Sequence, residues 1–150
     1  TELRAGTSIN SLDVTFNQFD IGLNRRLPWS WQLWETLKVD TSFTATVGVL
    51  EGGGDIGALG SSGLEFTFSR LSVRSPITIR AGSAVTLISE HRYGGENLGG
   101  PIQFTSHIGM HYQLVEHLNA VARYQHMSNA SQYEDNPGID MVMLELVLWF

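Results

Sequence analysis

Hydrophobic and polar residues alternate with a period of two along most of the chain. Between residues 36 and 50, the positions from Thr36 to Gly48 are polar or small, and the interleaved positions from Leu37 to Val49 are mainly apolar. Such alternation predicts a β-strand with one apolar face, and this run exceeds the usual length of about five or six residues. The same pattern predicts eight strands in all: Thr1–Ile9, Leu12–Asn24, Thr36–Leu50, Leu64–Leu71, Ile77–Leu87, Ile102–Leu114, Ala120–Asn129 and Ile139–Phe150.

The connections between these strands fall into two groups. Short connections are expected near Arg25–Ser30, Ser72–Pro76 and Val115–Asn119. At the other end Asn10–Ser11 is short, and longer loops are expected at Glu51–Gly63, Ser89–Pro101 and Ala130–Gly138. An even number of strands with short turns at one end and mostly long loops at the other is typical of an outer-membrane barrel. We therefore predict an all-β fold, an eight-stranded antiparallel transmembrane β-barrel that forms a single domain over residues 1–150.

Composition narrows the choice of partners. Only 16% of the residues are charged and the net charge is −6, so the chain lacks the basic surface that nucleic acid requires. The absence of cysteine excludes thiol catalysis and thiolate metal sites, and we predict neither a metal nor a cofactor.

No window of about 18 apolar residues is present, which argues against a transmembrane helix. The chain does not open with a basic segment and an apolar stretch, so we expect any signal peptide to have been removed.

Charges of both signs occupy the polar faces of the predicted strands. They are Arg4, Asp20, Lys38, Asp40, Glu65, Arg80, Arg123 and Glu145. An eight-stranded barrel has an interior just wide enough to be filled by side chains. We therefore predict a salt-bridged interior without an aqueous channel, and apolar faces in contact with outer-membrane lipid. The alternative is a soluble lipid-binding barrel with a charged exterior, which would carry more Lys and Glu on its polar faces.

Aromatic residues near both ends of the pattern support the membrane interpretation. In the last strand the even positions after Asp140 are apolar and end on Phe150. This resembles the C-terminal strand that outer-membrane proteins present to the barrel insertion machinery, which is therefore an expected partner. Trp29, Trp31 and Trp34 lie near the first short turn and predict an aromatic girdle on the periplasmic side.

Three polar residues have the parity of the lipid-facing positions: His126, Ser128 and Asp140. A charged side chain on that face costs about 2–4 kcal/mol at mid-depth, so an ionisable group there is a functional candidate. Residues 126 and 140 are expected to pair across the last hairpin. The Cα atoms of residues 126 and 128 are expected to lie ~6.6 Å apart, with both side chains on one face. The three fit a nucleophilic serine, a basic histidine and an orienting acid. Alternatively, they are interfacial polar residues without chemistry.

The segment from His126 to Ala130, His-Met-Ser-Asn-Ala, is followed by Gly138-Ile139-Asp140. Together these motifs resemble the signature of the outer-membrane lipid A 3-O-deacylases, the PagL family. The resemblance extends to Asn97-Leu98-Gly99, Phe104 and Ile108-Gly109. It implies a barrel that hydrolyses the ester-linked acyl chain at position 3 of lipid A in the outer leaflet of the outer membrane. It also implies lipopolysaccharide as substrate, no cofactor, and a lipid-facing triad of His126, Ser128 and Asp140.

One departure from the family concerns the acid, because a known member has Glu where this chain has Asp140. Asp is shorter by one methylene, so His126 must lie closer to the last strand or the contact lengthens. We expect activity to survive, since Asp serves this role in many serine hydrolases. Asn129 is a candidate oxyanion donor through its backbone N–H or amide, or else a turn residue. Asn136 is a candidate for orienting the site, or part of an Asn-Pro-Gly turn.

Other polar motifs give weaker signals. His107 and His111 have the spacing of a metal pair only on a helix, and in a strand both point into the lumen. Glu134 and Asp135 offer calcium ligands, but adjacent loop acids are usually solvated. Besides the deacylase, a non-catalytic small outer-membrane barrel for adhesion or envelope integrity fits the pattern. The sequence makes no prediction of the oligomeric state.

Overall fold

The computed structural model describes residues 1–71 and 76–148. No helix in these ranges is long and apolar enough to cross a membrane. The described strands are β1 Glu2–Ser8, β2 Phe16–Leu33, β3 Leu37–Gly52, β4 Asp55–Arg70, β5 Ile77–Ile88, β6 Arg92–Tyr93, β7 Glu96–Asn97, β8 Ile102–Val115, β9 Leu118–Ser128 and β10 Ile139–Leu148.

Eight of these strands close into one barrel, in the order β1-β10-β9-β8-β5-β4-β3-β2, and every neighbouring pair is antiparallel. The strands β6 and β7 form a small hairpin inside the loop between β5 and β8. The barrel closes where β1 pairs with β10. This pairing extends from Glu2 opposite Val147 to Ser8 opposite Met141. The predicted all-β, eight-stranded antiparallel barrel is confirmed.

The predicted long loop at Glu51–Gly63 is wrong. Strand β3 continues to Gly52, a tight turn at Gly53 and Gly54 follows, and β4 begins at Asp55. Both turn glycines have positive φ, 58° and 91°, a conformation that glycine adopts without strain. The many Gly and Ser residues suggested a loop, but β3 and β5 both pair with this segment. Gly63 in particular lies so close to the backbone of Ser83 that a side chain would clash there.

The predicted short turn at Arg25–Ser30 is also wrong, because β2 runs on to Leu33. Its pairing with β3 shifts register between Arg26 and Ser30, around Pro28, which cannot donate a ladder hydrogen bond. The turn lies instead at residues 34–36. Trp29, Trp31 and Trp34 are 54%, 50% and 80% exposed there, so the predicted position of these aromatic residues at the short-turn end is confirmed.

Two predictions at the remaining ends concern residues that the structure does not describe. The turn predicted at Ser72–Pro76 has residues 72–75 outside the described ranges. The terminal Phe150, on which the expected recognition by the insertion machinery depends, also lies outside them. The recognition by that machinery therefore stays a prediction.

Ion pairs fill the middle of the barrel, as predicted. Glu65 is fully buried and contacts Arg80 at 3.2 Å, Arg123 at 3.3 Å and His107 at 3.2 Å. Arg123 also lies 3.0 Å from Glu145, which in turn lies 3.2 Å from Arg4. The predicted interior charges Lys38 and Asp40 are paired with each other near the short-turn end and are only half-buried.

The interior near the long-loop end is apolar, which the sequence pattern did not predict. Phe16 and Tyr93 are fully buried there, and their rings meet edge to face with centroids 5.3 Å apart. The other buried members of this apolar cap are Leu50, Leu59, Ile88, Leu98, Met127, Ile139, Met141 and Met143. Tyr93 and Leu98 bring the loop between β5 and β8 into contact with this apolar cap.

The outer wall of the barrel is apolar over most of its height. Large hydrophobic side chains such as Leu23, Val47 and Leu144 are 65%, 61% and 70% exposed on it. A soluble protein rarely exposes apolar area on this scale, and a membrane barrel requires it. The structure therefore has the arrangement predicted for lipid contact and is the reverse of the soluble barrel considered as an alternative.

Removal of the central carboxylate will destabilise the barrel. In Glu65→Ala, the cations Arg80 and Arg123 lose a buried partner, and breaking a buried pair in this way typically costs about 3–5 kcal/mol. Urea unfolding in detergent, followed by tryptophan fluorescence, will show the lower midpoint. Glu35→Ala, in the exposed turn after β2, is the matched control and will leave the midpoint unchanged. Equal midpoints for the two variants would contradict this account of the interior.

Candidate active site

His126 and Asp140 lie directly opposite each other in the pairing of β9 with β10. Both side chains are on the outer wall, 46% and 30% exposed, and His126 Nδ1 lies 2.7 Å from Asp140 Oδ1. The predicted pairing across the last hairpin is therefore confirmed. The contact is not lengthened by the shorter acid, because directly opposite positions bring the two side chains close enough.

This contact has a consequence for the proton on the imidazole. A carboxylate can only accept, so Nδ1 carries the hydrogen that is donated to Asp140. In the neutral ring, Nε2 then holds a lone pair. That is the protonation state in which a histidine can remove a proton from a hydroxyl group.

Ser128 is the last residue of β9 and lies two residues beyond His126 on the same face. It is half-buried and pairs with Phe104 of β8. Within residues 1–71 and 76–148, its hydroxyl makes no side-chain hydrogen bond. Hydrogen bonds between a nucleophile and its base are often long without substrate, so this arrangement is compatible with a catalytic serine.

Two residues that the sequence analysis missed hold Asp140. The Tyr124 hydroxyl donates a hydrogen bond of 2.7 Å to Asp140 Oδ1. The Asp140 backbone N–H donates to Asn10 Oδ1 at 3.1 Å, and Asn10 Nδ2 donates to Gly138 O at 3.1 Å. Tyr124 has the same parity as His126 on β9, and this parity could have identified it from the sequence as a neighbour on the outer wall. Asn10 is brought to the site only by barrel closure, which no local pattern reveals.

Asn129 is fully buried, and its N–H groups are all engaged. Its Nδ2 donates to Leu98 O at 2.9 Å and to Asp135 O at 2.6 Å, and its backbone N–H donates to Asn136 Oδ1 at 3.0 Å. A role as oxyanion donor requires one of these bonds to open, so that role stays a prediction. The Asn136 side chain accepts this hydrogen bond from the residue that follows Ser128. The contact favours a role for Asn136 in orienting the site over a role in the turn alone.

The two loops beside the site are tied together. Asn97 Nδ2 donates to the Asp135 carboxylate, so Asp135 is not merely solvated. Gly99 has a φ of 87° and lies against the Asp135 carbonyl and the Asn129 amide. These contacts fasten the loop after β7 to the loop after β9, and so to the end of the strand that carries Ser128.

A band of polar side chains crosses the outer wall at the height of His126. Ser106 of β8 pairs with His126, and its Oγ lies 3.0 Å from Ser83 Oγ of β5. Next to this band is an open, largely apolar groove of about 620 Å³. Its lining includes Ser62, Leu64, Phe66, Ala81, Val85 and Phe104. Phe104, which lines this groove, is the residue of β8 that pairs with Ser128 of β9.

The fold and the site together define a class of protein, a membrane β-barrel whose lipid-facing wall carries the hydrogen-bonded pair of His126 and Asp140, with Ser128 on the same face. Residues 17–149 match the family model described as lipid A 3-O-deacylase (PagL). The chain belongs to the PagL family.

Two individual proteins are similar to this chain. Over 72 residues the chain is 36% identical to lipid A deacylase PagL of Bordetella bronchiseptica (strain ATCC BAA-588 / NCTC 13252 / RB50). The match covers 48% of this chain and 40% of that relative, less than half the length of each. The crystal structure of the outer membrane enzyme PagL superposes with a TM-score of 0.80 at 23% identity over 100% of both chains, which supports the fold.

Proposed function

We propose that this protein is a lipid A 3-O-deacylase of the outer membrane, a serine esterase that removes the ester-linked acyl chain at position 3. The observation that carries the proposal is the hydrogen-bonded pair of His126 and Asp140 on the lipid-facing wall of a PagL-family barrel, with Ser128 beside it. The site lies toward the long-loop end, which in outer-membrane barrels is the extracellular end. That position suits a substrate in the outer leaflet.

The reaction uses the three side chains in sequence. Ser128 Oγ attacks the ester carbonyl while His126 Nε2 takes its proton, and Asp140 stabilises the resulting imidazolium. The tetrahedral intermediate collapses, the sugar oxygen leaves with the proton from His126, and the acyl group stays on Ser128. Water, deprotonated by His126, then attacks the acyl carbon. The bond from that carbon to Ser128 Oγ breaks, His126 returns the proton to Ser128, and the fatty acid is released. A rotation of the Ser128 side chain toward His126 on substrate binding precedes the first step.

The surroundings of the site favour a lipid substrate over a soluble ester. The groove of about 620 Å³ beside Phe104 is open to the membrane and lined mainly by apolar side chains. Burial of an acyl chain stabilises its complex by about 0.8 kcal/mol per methylene group relative to water. An acyl chain that comes from a bilayer is already in an apolar environment, so it gains little of this transfer free energy. The groove therefore acts mainly to orient the chain.

Incubation of the purified protein in detergent with lipid A tests the proposal. Mass spectrometry is expected to show loss of a single ester-linked acyl chain from position 3, with the amide-linked chains and phosphates retained. Lipid A that lacks the 3-linked chain is the control substrate and will release nothing. A folded protein that releases no fatty acid would favour the non-catalytic barrel, and release from another position would contradict the assigned specificity.

The loop contacts beside Ser128 predict an effect of Gly99. In Gly99→Ala, the new methyl group meets the Asp135 carbonyl and lies 2.6 Å from Asn129 Nδ2, at a φ that L-residues rarely adopt. The loops must shift, and misplacement of catalytic groups by about 1 Å costs on the order of 10²-fold in rate. Gly95→Ala, in the same loop but with no atom within 4 Å, is the matched control. Equal deacylation rates for the two variants would show that the Gly99 contact does not position the site.

A further inference from the structure

Asp140 Oδ1 accepts two hydrogen bonds, one from His126 Nδ1 and one from the Tyr124 hydroxyl, both of 2.7 Å. We propose that Tyr124 is a positioning residue, which holds the Asp140 carboxylate in the orientation that His126 requires. This inference rests on the proposed function, because it assigns a role within the same site.

The local geometry explains why a residue at this place can act on Asp140. Tyr124 precedes His126 by two residues on β9, so the two side chains leave the strand on the same face. Asp140 pairs with His126, and Tyr124 pairs with Val142. The Asp140 carboxylate therefore accepts one hydrogen bond from the imidazole at the directly opposite position and a second from the phenol at the diagonal position.

The environment explains why Asp140 needs a second donor. It stands on an apolar wall, where a carboxylate without donors is strongly disfavoured. Within the described residues its only ion-pair partner is His126. Asn10 fixes the backbone of Asp140 but does not contact the carboxylate. Without the phenol, a single hydrogen bond restrains rotation of the carboxylate, and the imidazole loses its fixed orientation for part of the time.

An aromatic residue on the outer wall also has a simpler explanation. Tyrosine is common near membrane interfaces because its ring is apolar and its hydroxyl is polar. In that case the Tyr124 hydroxyl contributes only to contact with lipid headgroups, and phenylalanine would replace it without effect on the reaction. The two explanations differ in what they predict for kcat.

Steady-state kinetics of Tyr124→Phe distinguish them. A hydrogen bond to a charged group that is lost in this way reduces kcat about tenfold, while KM stays within about twofold because Tyr124 acts through Asp140 and not on the substrate. Tyr112→Phe is the matched control. Tyr112 is 47% exposed on the same outer wall and makes no side-chain hydrogen bond in the described parts of the chain, so kcat will not change. Heat-modifiable gel mobility confirms that both variants are folded.

The Asp140→Glu background provides a second test. The added methylene changes the position of the carboxylate relative to the phenol, and the 2.7 Å contact with Tyr124 is specific to the shorter acid in this inference. Tyr124→Phe is therefore expected to change kcat of the Asp140→Glu protein by less than about twofold. A loss of equal size in both backgrounds would show that Tyr124 acts on another group, and a raised KM with unchanged kcat would show contact with substrate. Either result overturns the inference, as does an unchanged kcat in the single variant.

These outcomes are separate from failure of the proposed function. Wild-type protein that does not deacylate lipid A, or Ser128→Ala protein that does, contradicts the function itself. When the wild type is active and Ser128→Ala is inactive, but Tyr124→Phe keeps the wild-type kcat, only the role of Tyr124 is wrong.

Discussion

Ser128→Ala will abolish deacylation of lipid A and leave the barrel folded. The substitution removes the proposed nucleophile, and loss of the nucleophile or the base in a serine hydrolase lowers kcat by on the order of 10⁶-fold. His126→Ala is expected to have a comparable effect, because the serine then has no base. Both side chains lie on the outer wall and take no part in the interior ion pairs, so folding does not depend on them.

The measurement is the release of the 3-linked fatty acid from purified lipid A in detergent, with gel mobility as the check on folding. Ser69→Ala is the matched control, since Ser69 lies on β4 near the short-turn end, far along the barrel from Ser128. Wild-type rates are expected for Ser69→Ala. Substantial release by folded Ser128→Ala protein would mean that another group is the nucleophile.

Asp140→Asn will lower the deacylation rate by about 10⁴-fold, the size of the effect of the corresponding change in a well-studied serine protease. The amide keeps the shape of the carboxylate, but its NH₂ group favours the imidazole tautomer with the proton on Nε2. His126 is then protonated at the nitrogen that should accept the proton from Ser128. Binding of lipid A is expected to be unchanged, so the loss will appear in kcat.

Asp140→Glu provides the comparison and is expected to retain substantial activity, since it restores the residue of a known family member. The 2.7 Å distance from His126 Nδ1 to Asp140 Oδ1 shows that Asp already forms the hydrogen bond, so the longer side chain of Glu is not required to reach His126. Near-wild-type rates for Asp140→Asn would contradict the triad. The acid would then have to be sought in the following loop at Glu134 or Asp135, although Asp135 is engaged by Asn97.

Much of the barrel and the central pair of the site could be predicted from sequence because the side-chain period of a strand is fixed. Successive residues of a strand point to opposite faces, so counting back from Val142 places Asp140 on the outer wall without any knowledge of packing. The same parity on β9 places His126 there. Pairing between the two followed from the length of the hairpin, and the structure confirms it.

Features that depend on distant neighbours were not predictable. The first part of β4 is rich in Gly and Ser and has the composition of a loop, yet it is a strand because β3 and β5 supply its hydrogen bonds. The apolar cap places Phe16 and Met141 inside, against the general rule of a polar interior. Asn10 reaches Asp140 across a separation of 130 residues, which only closure of the barrel brings about.

The location of the site on the outer wall determines which concentration governs the proposed reaction. In that proposed reaction, lipid A would reach Ser128 by lateral diffusion in the plane of the leaflet, and not through bulk water or the filled interior. The relevant quantity is therefore the mole fraction of lipid A in the membrane or micelle. Addition of detergent at constant bulk lipid A dilutes the substrate within each micelle and slows the enzyme, so its Michaelis constant belongs in units of surface mole fraction.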